Sequence, residues 1–335
     1  MIKKRVYSGI RATGRLHLGN YFGAVKGMLA LQDKYDCIFS VVDLHTITVP
    51  YDPSSLQNSV REIIIDYLAA GLDPKKCHLE IQSKIPQHTE LAYLLSTIYP
   101  VSRLEDLPTY KEKKAQYPKY VNMGLLYYPV LMAGDVLLYK GELVPVGIDQ
   151  EPHLEVMREI ARKFNSMFSS SSTDGSGQVT FPEPQRFKTD GEYVPSLSGG
   201  GKMSKSVEGS YINLTDDLET IQKRLAGAPT DSGKVGGDVP KSGGVANLFR
   251  LLKLFNLDDK YNKFEQDYRD KKIRYTELKE VLAQAIYKEL KPFQEKRKEF
   301  LENPRLVDSI IEESLQKCLA MAEETMREVR EKMGL

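Results

Sequence analysis

The sequence lacks the features that define several protein classes. Its three cysteines, Cys37, Cys77 and Cys318, lie far apart and form no Cys-x-x-Cys pair. A disulfide framework and a four-thiolate metal or iron–sulfur site are therefore excluded, and the three are predicted to be small buried hydrophobic residues. No stretch approaches 18 consecutive apolar residues, so no transmembrane helix is predicted. The first seven residues run into a strand pattern without an apolar h-region, which favours a cytoplasmic protein.

The chain also lacks a strong net charge, since 47 Lys and Arg against 46 Asp and Glu leave +1. This balance excludes no partner, because nucleic-acid binding requires only a local basic patch. Residues 250–298 are one candidate, with 14 Lys and Arg against 9 Asp and Glu. A solvated helical surface explains this excess as well as RNA contact does.

The N-terminal half has the pattern of a parallel sheet covered by helices. Short apolar runs, such as 37–42 and 77–81, alternate there with helical patterns. Between these two strands a helix is predicted at 53–70, opened by Asp52 and closed by Gly71. We therefore predict an α/β fold with a doubly wound, Rossmann-type parallel sheet.

The composition changes after a further helix predicted at 149–164. Residues 169–177 are rich in Ser and Gly, and 199–201 are three glycines, so both segments are predicted to be loops. From about 215 onward apolar residues recur only at helical spacing. We predict a catalytic domain over 1–209 and an all-helical domain over 210–335, whose last helix, about 305–333, packs back on the first domain.

A glycine-containing turn, 8–20, follows the first strand and precedes a helix that begins near Asn20. Glycines let backbone approach a nucleotide, and a helix N-terminus offers free N–H groups and a positive dipole end to phosphate. The turn is neither a GxGxxG dinucleotide turn nor a P-loop, which counts against hydride transfer and P-loop hydrolysis. By itself it is also compatible with an ordinary turn.

The segment 202–206, Lys-Met-Ser-Lys-Ser, follows the three glycines. Two lysines three residues apart on a mobile loop can move onto a polyphosphate and neutralise charge on a leaving pyrophosphate. The ordinary alternative is a flexible basic loop on the surface. The five-residue string is nevertheless specific.

Together these two segments resemble the HIGH and KMSKS signatures of the class I aminoacyl-tRNA synthetases. The first reads His17-Leu18-Gly19-Asn20, with Asn in place of the second His, and the second is intact. Over nearly its whole length the chain is similar to the tryptophanyl branch of that family. The segments that carry this similarity are 8–10, 19–21, 42–48, 110–113, 131–135, 146–150, 230–232 and 244–248.

The resemblance implies a role for nineteen residues. Those expected to bind tryptophan are Tyr7, Gly9, Val42, His45, Met132, Asp135, Val146 and Gln150. Those expected to bind ATP are Arg11, Gly19, Asn20, Gly147, Asp149, Gln150, Lys202, Met203, Ser204 and Lys205. Those expected to act in catalysis are His17, Lys113, Lys202 and Lys205. The resemblance also implies that Mg²⁺ bridges the phosphates of ATP and that the protein alone forms no metal site. It further implies that tRNA(Trp) is the acceptor and that the protein is a homodimer.

Asp135 is the expected selectivity residue, because the resemblance makes it the acceptor for the indole N–H. It lies in the apolar run 131–138, where an acceptor-only carboxylate is costly unless something donates to it. We therefore expect the substrate to complete the site. Four positions depart from the family's pattern: Ala12 replaces a usual Pro, Arg11 and Leu44 replace a frequent Gln, and Ile148 replaces a frequent acid.

Three alternatives stay open at this point. A tyrosyl-tRNA synthetase shares fold and signatures, and Asp135 could bind a phenol. A small nucleotidylyltransferase with a His-x-Gly-His turn would leave residues 215–335 unexplained. A non-catalytic relative that binds only RNA or amino acid is disfavoured by the retention of His17, Lys202 and Lys205.

Overall fold

The computed structural model describes residues 3–168, 179–188, 193–205 and 207–335. The predicted loop at 169–177 and Ser206 of the lysine loop lie outside these residues. Five strands form one sheet: β1 (Arg5–Ile10), β2 (Asp36–Val41), β3 (Cys77–Ile81), β4 (Leu143–Pro145) and β5 (Gln185–Phe187). Fourteen α-helices are described: α1 (Leu18–Asn20), α2 (Lys26–Leu31), α3 (Asp43–Thr46), α4 (Pro53–Ala70), α5 (Gln87–Ser96), α6 (Val101–Glu105), α7 (Pro108–Gln116), α8 (Met123–Leu138), α9 (Glu151–Phe168), α10 (Leu218–Ala226), α11 (Gly243–Leu254), α12 (Asp258–Arg269), α13 (Tyr275–Glu302) and α14 (Pro304–Met333).

The sheet has the order β3-β2-β1-β4-β5, and all four strand pairs are parallel. Five of the six residues of β2 are buried, as expected for a central strand covered on both faces. The Rossmann-type α/β prediction is confirmed. The three cysteines are free and buried, as the sequence also predicted.

Local chemistry sets the bounds of α4, which agree with the predicted 53–70. The Asp52 carboxylate accepts a hydrogen bond from the Ser54 N–H at 3.0 Å, and Pro53 occupies the first helical position. Gly71 ends the helix with φ at 110°, a left-handed conformation that favours glycine. The caps visible in the sequence therefore decide both ends of this helix.

Two other helices differ from prediction at their starts. The helix expected near Asn20 begins at Leu18 and passes through a π-helical turn (Tyr21–Val25) before α2. The helix predicted at 149–164 starts as a 3₁₀ turn (Ile148–Gln150) and continues as α9 to Phe168. Helix ends are decided by cap contacts, which periodicity alone does not reveal.

The last helix, α14, packs against the sheet rather than only against its helical neighbours. The Leu79 N–H on β3 donates to Ser314 Oγ at 2.6 Å. Arg330 donates to both carboxylate oxygens of Glu90 on α5, at 2.8 Å each. The division at 209/210 stays a prediction, and residues next to it contact the first turn, since the Leu18 N–H donates to Ile212 O at 3.0 Å.

A buried ion pair connects α13 to α4. Arg297 Nε donates to Asp66 Oδ1 at 2.8 Å, and the guanidinium also contacts Glu62. The second oxygen of Asp66 accepts the Leu16 N–H at 3.1 Å. Removing one member of such a pair costs about 3–5 kcal/mol, because it leaves a buried charge without compensation.

No helix among the described residues is long and apolar enough to cross a membrane. The expected cytoplasmic location stays a prediction.

Candidate active site

A cavity of about 690 Å³ opens around the carboxyl ends of β1, β2 and β4. Open α/β sheets bind ligands at this edge, because the loops that follow the strands converge there. Helices α7, α8 and α9 provide the remaining wall. Twelve predicted site residues line the cavity: Tyr7, Gly9, Arg11, Asn20, Val42, His45, Lys113, Met132, Asp135, Val146, Asp149 and Gln150.

The other seven predicted residues lie outside the lining: His17, Gly19, Gly147, Lys202, Met203, Ser204 and Lys205. Most of them belong to the glycine turn and the lysine loop, which contact each other beside the cavity mouth. A Cβ atom on Gly147 would meet the carboxylate of Asp149, which would have to move aside.

The start of α1 is held by reciprocal caps. The Gly19 N–H donates to His17 Nδ1 at 3.0 Å, and the His17 N–H donates to Asn20 Oδ1 at 3.1 Å. A Cβ on Gly19 would lie 2.7 Å from the His17 ring and 3.3 Å from Met203 O. Glycine is therefore required where the lysine loop approaches the turn.

Lys205 lies on this turn. Its ammonium donates to Thr13 O at 3.4 Å and to Arg15 O. Burial lowers the pKa of Lys205 to about 8. Burial, with Lys205 and Lys202 nearby, lowers the pKa of His17 to about 4. His17 is thus neutral at pH 7, and because Nδ1 accepts from Gly19, Nε2 carries the proton and can donate to an anion.

The cavity has a cationic side at Arg11 and Lys113. Burial and the neighbouring Arg11 both lower the pKa of Lys113. Two cations that repel each other in a partly dry site favour the binding of an anion. Among the described residues, no group of three His, Cys, Asp or Glu side chains is placed to hold a metal ion. The location of Mg²⁺ stays a prediction.

Asp135 also lines the cavity, and here the expectation from sequence was wrong in one respect. Its carboxylate is not waiting for a donor. His45 Nε2 contacts Oδ2 at 2.8 Å, while Gln82 Nε2 and His88 Nδ1 contact Oδ1 at 2.7 and 2.8 Å. Burial favours the neutral acid, but the contacts from His45 and His88 hold the pKa of Asp135 below its usual range.

Glu80, Gln82 and His88 behind Asp135 were missed by the sequence reasoning. None lines the cavity, and all three side chains are fully buried. They are 55, 53 and 47 positions from Asp135 in the chain, so no local spacing brings them together. The two faint signals were a glutamate inside an apolar strand and a histidine on the buried side of a helix.

His153 on α9 was also missed, and it organises the polar wall. Its Nε2 lies 3.0 Å from Thr109 Oγ1 and 2.9 Å from Tyr128 OH, and Nδ1 lies 3.0 Å from Gln150 Oε1. Burial lowers the pKa of His153 to about 4, so the ring is neutral and fixes Gln150 and Tyr128 by hydrogen bonds.

One departure from the family pattern has a structural explanation. The Ala12 N–H donates to Thr46 Oγ1 at 2.9 Å, a bond that proline could not make. Leu44 contributes its main-chain N–H to Gln82 Oε1 at 3.0 Å, which any residue except proline can do. Arg11 adds its charge to the cationic side. The Ile148 side chain lies outside the described part of the chain.

These features suit a ligand with two unlike ends. The apolar walls and the buried acceptor Asp135 fit a flat aromatic group that carries an N–H donor. The cationic side and the lysine loop fit phosphates. A site of this kind can align a small-molecule carboxylate with a nucleotide.

Known proteins share both the sequence and the fold of this chain. The model of the family described as tRNA synthetases class I (W and Y) matches residues 3–291. A tryptophan–tRNA ligase of Porphyromonas gingivalis is 38% identical over 98% of each chain, and one of Caldanaerobacter subterraneus is 39% identical over 99% of this chain and 98% of its own. The chain belongs to the class I tryptophan–tRNA ligases.

A solved relative extends the comparison to three dimensions. The tryptophanyl-tRNA synthetase of Campylobacter jejuni, in complex with ADP and tryptophan, superposes with a TM-score of 0.85 at 31% identity. The match covers 99% of this chain and all of that one. Membership of the tryptophan–tRNA ligases makes the chain an enzyme. It does not favour the three alternatives, which were a tyrosyl-tRNA synthetase, a nucleotidylyltransferase and a non-catalytic relative. The roles of individual residues stay predictions.

Proposed function

We propose that the cavity binds tryptophan and ATP side by side, forms tryptophanyl-adenylate, and passes the amino acid to tRNA(Trp). One observation carries the proposal. Asp135 provides an ionised acceptor in a cavity that Val42, Met132 and Val146 also line, and Arg11 and Lys113 provide cations in the same cavity. Each substrate of the reaction therefore has a chemically matched place.

At the apolar end, the indole ring packs between Val42, Met132 and Val146, with its N–H on Asp135. A ligand without that donor makes one hydrogen bond fewer to a carboxylate that His45, Gln82 and His88 already hold, and a hydrogen bond to a charged group contributes about 1.5–3 kcal/mol. This is the source of selectivity against phenylalanine. Gln150, fixed by His153, binds the ammonium or carboxylate end.

At the cationic end, the α-carboxylate of tryptophan attacks the α-phosphorus of ATP. It is ionised at neutral pH, so no protein base is needed. A carboxylate–phosphorus bond forms, the bond from the α-phosphorus to the bridging oxygen breaks, and pyrophosphate leaves with the electron pair. Lys202, Lys205 and the His17 Nε2–H stabilise the charge that develops on it. Mg²⁺ would be held by the phosphate oxygens of ATP and would supply further positive charge there.

The test is exchange of labelled pyrophosphate into ATP with purified protein. Exchange with tryptophan, and background levels with tyrosine or without amino acid, supports the proposal. Exchange that prefers tyrosine would overturn the assignment of the Asp135 pocket and leave the enzyme class intact. The absence of exchange with every amino acid would overturn the catalytic proposal itself.

We further propose that the helical region contacts the tRNA. A second cavity, of about 640 Å³, lies among α11, α12 and the segment before them. Four cations, Lys241, Arg250, Lys253 and Arg269, line it, and Arg269 is paired there with Asp238 and Glu265. Tyr261 adds an aromatic ring, with Lys253 Nζ 4.4 Å from its centroid. Cations beside an aromatic platform are typical of sites for unstacked nucleotides.

Not every cation of the 250–298 excess can serve this purpose. Arg297 is buried in its pair with Asp66, so it stabilises the protein and cannot meet an RNA phosphate.

The expected homodimer is proposed through α5, α6 and the start of α8. Tyr93, Val101 and Met123 are exposed there by 68%, 58% and 72%. Large apolar side chains at the surface of packed neighbouring helices favour a protein contact. Light scattering of the wild type, compared with Tyr93→Glu, measures whether this surface holds two copies together.

A further inference from the structure

His88 occupies a position that the proposed chemistry does not use. It is the second residue of α5, is fully buried, and lies behind Asp135 rather than in the cavity. Its Nδ1 is 2.8 Å from Asp135 Oδ1, and its Nε2 is 3.0 Å from Glu80 Oε1. One imidazole thus lies between two buried carboxyl groups from α8 and β3.

In the part of the chain that the structure describes, no Lys or Arg pairs with either carboxyl group, which leaves the histidines beside them as the nearby cations. Ser40 Oγ and Tyr7 OH donate to Glu80 Oε1 at 2.8 and 3.2 Å, and the Tyr139 ring packs edge-on to His88 with centroids 5.7 Å apart. Two further groups face the carboxyls: His45 contacts Asp135, and the buried Cys318 thiol of α14 faces Glu80.

A neutral imidazole cannot satisfy both contacts. It has one N–H and one lone pair, and a lone pair facing a carboxylate oxygen at 3 Å is repulsive unless that carboxyl is protonated. An imidazolium carries an N–H on both nitrogens, and its positive charge attracts both carboxylates. Burial disfavours the charged ring, but Glu80 and Asp135 outweigh burial and raise the pKa of His88 to about 10.

We propose that His88 is the positioning residue for amino-acid selectivity: a buried imidazolium that keeps Asp135 ionised and oriented, so that the carboxylate accepts the indole N–H. The inference rests on the proposed role of Asp135. Without the imidazolium, burial drives Asp135 towards its protonated form, which is a weaker acceptor and can itself become a donor. Selectivity then depends on pH.

His88→Gln tests this with an uncharged side chain of similar reach. We expect the KM for tryptophan in pyrophosphate exchange to rise about 10- to 100-fold, with kcat and the KM for ATP changed less than threefold. The wild-type preference for tryptophan over phenylalanine should be constant from pH 6 to 9. In the variant it should weaken as the pH falls, because Asp135 then takes up a proton.

Two controls separate this role from a merely structural one. His78→Gln changes a different histidine, which belongs to β3, lies 3.7 Å from Asp36 and is outside the cavity. It should leave the preference for tryptophan over phenylalanine unchanged. In an Asp135→Asn background, His88→Gln should cause no further loss of preference, since there is no carboxylate charge left to set. An equal loss in both backgrounds would overturn the proposal.

A measurement on the wild type decides the matter if His88→Gln does not fold. With ¹⁵N-labelled histidine, both ring nitrogens of one fully protected histidine should remain protonated from pH 6 to 9. A neutral tautomer at pH 7.5 for His88 would overturn the inference. Failure of wild-type exchange with tryptophan would instead overturn the proposed function, and the ¹⁵N spectrum would still report the charge of His88.

Discussion

The surroundings of Asp135 and the lysine loop are built in different ways. Asp135 is 1% exposed, and contacts from three different segments fix both of its oxygens. Lys205 comes from a loop that follows three glycines, two of which, Gly199 and Gly201, have φ of 93° and 68°, and it contacts main-chain oxygens. Selectivity for one amino acid requires a hydrogen-bond acceptor that is held rigidly, as Asp135 is. Stabilising the charge that develops on pyrophosphate requires a side chain that can exchange its partners, as Lys205 can.

The largest expected effect tests the lysine loop. Lys205→Ala should slow adenylate formation by about 10²- to 10³-fold, since it removes one charge that stabilises the transition state. Tryptophan affinity should change little, because Lys205 is outside the amino-acid end. Stopped-flow measurement of the first turnover checks this. Lys234→Ala, at an exposed lysine, is the matched control. An unchanged rate would remove the loop from the mechanism.

The next largest effect tests the carboxylate of Asp135. Asp135→Asn keeps the size of the side chain but removes its charge, and should narrow the preference for tryptophan over phenylalanine about 10- to 100-fold. This corresponds to about 1.5–3 kcal/mol for a hydrogen bond to a charged group. Exchange assays with both amino acids measure the ratio. Lys205→Ala should leave that ratio alone. If both variants alter it equally, Asp135 and the lysine loop are not independent.

A pH profile sharpens the comparison further. With a pKa of about 8 in the free protein, Lys205 loses its proton as the pH rises. We expect kcat/KM for ATP to fall to about half at pH 8 and by about tenfold near pH 9. Lys205→Arg should move the fall out of this range, because arginine stays charged. A profile that is flat to pH 9.5 would show that the charge of Lys205 is not required.

The smallest expected effect tests the helical region, away from Asp135 and from the lysine loop. The double variant Arg250→Ala and Lys253→Ala should raise the KM for tRNA about 3- to 10-fold and leave pyrophosphate exchange unchanged. The salt dependence of charging should also become shallower, because fewer phosphates are neutralised. Lys288→Ala with Lys298→Ala, on exposed parts of α13, is the control pair. Equal behaviour of the two pairs would place the RNA elsewhere.

Features that depend on residues close together in the sequence could be predicted, whereas features that depend on distant residues could not. Helix α4 was predicted residue for residue, because Asp52, Pro53 and Gly71 decide its ends within the segment itself. β3 was likewise predicted at 77–81, since an apolar run between turns is a local signal. The short edge strand β5 was missed, because three residues carry no pattern.

The site divides in the same way. Residues at the strand ends, which short strings indicate, line the cavity as expected, but among the described residues of the two signatures, 17–20 and 202–206, only Asn20 does. The partners of Asp135 were not found, because β3 and α5 reach it only through the packed fold. The expectation of an unpartnered carboxylate at Asp135 was therefore wrong, although its place at the cavity was correct.

The salt link between α13 and α4 gives the molecule a mechanical connection. Asp66 binds Arg297 with one oxygen and the Leu16 N–H with the other. Leu16 directly precedes His17. One buried carboxylate therefore bonds both to the helical region and to the turn that carries His17. Loss of either bond would leave a buried oxygen of Asp66 without that partner.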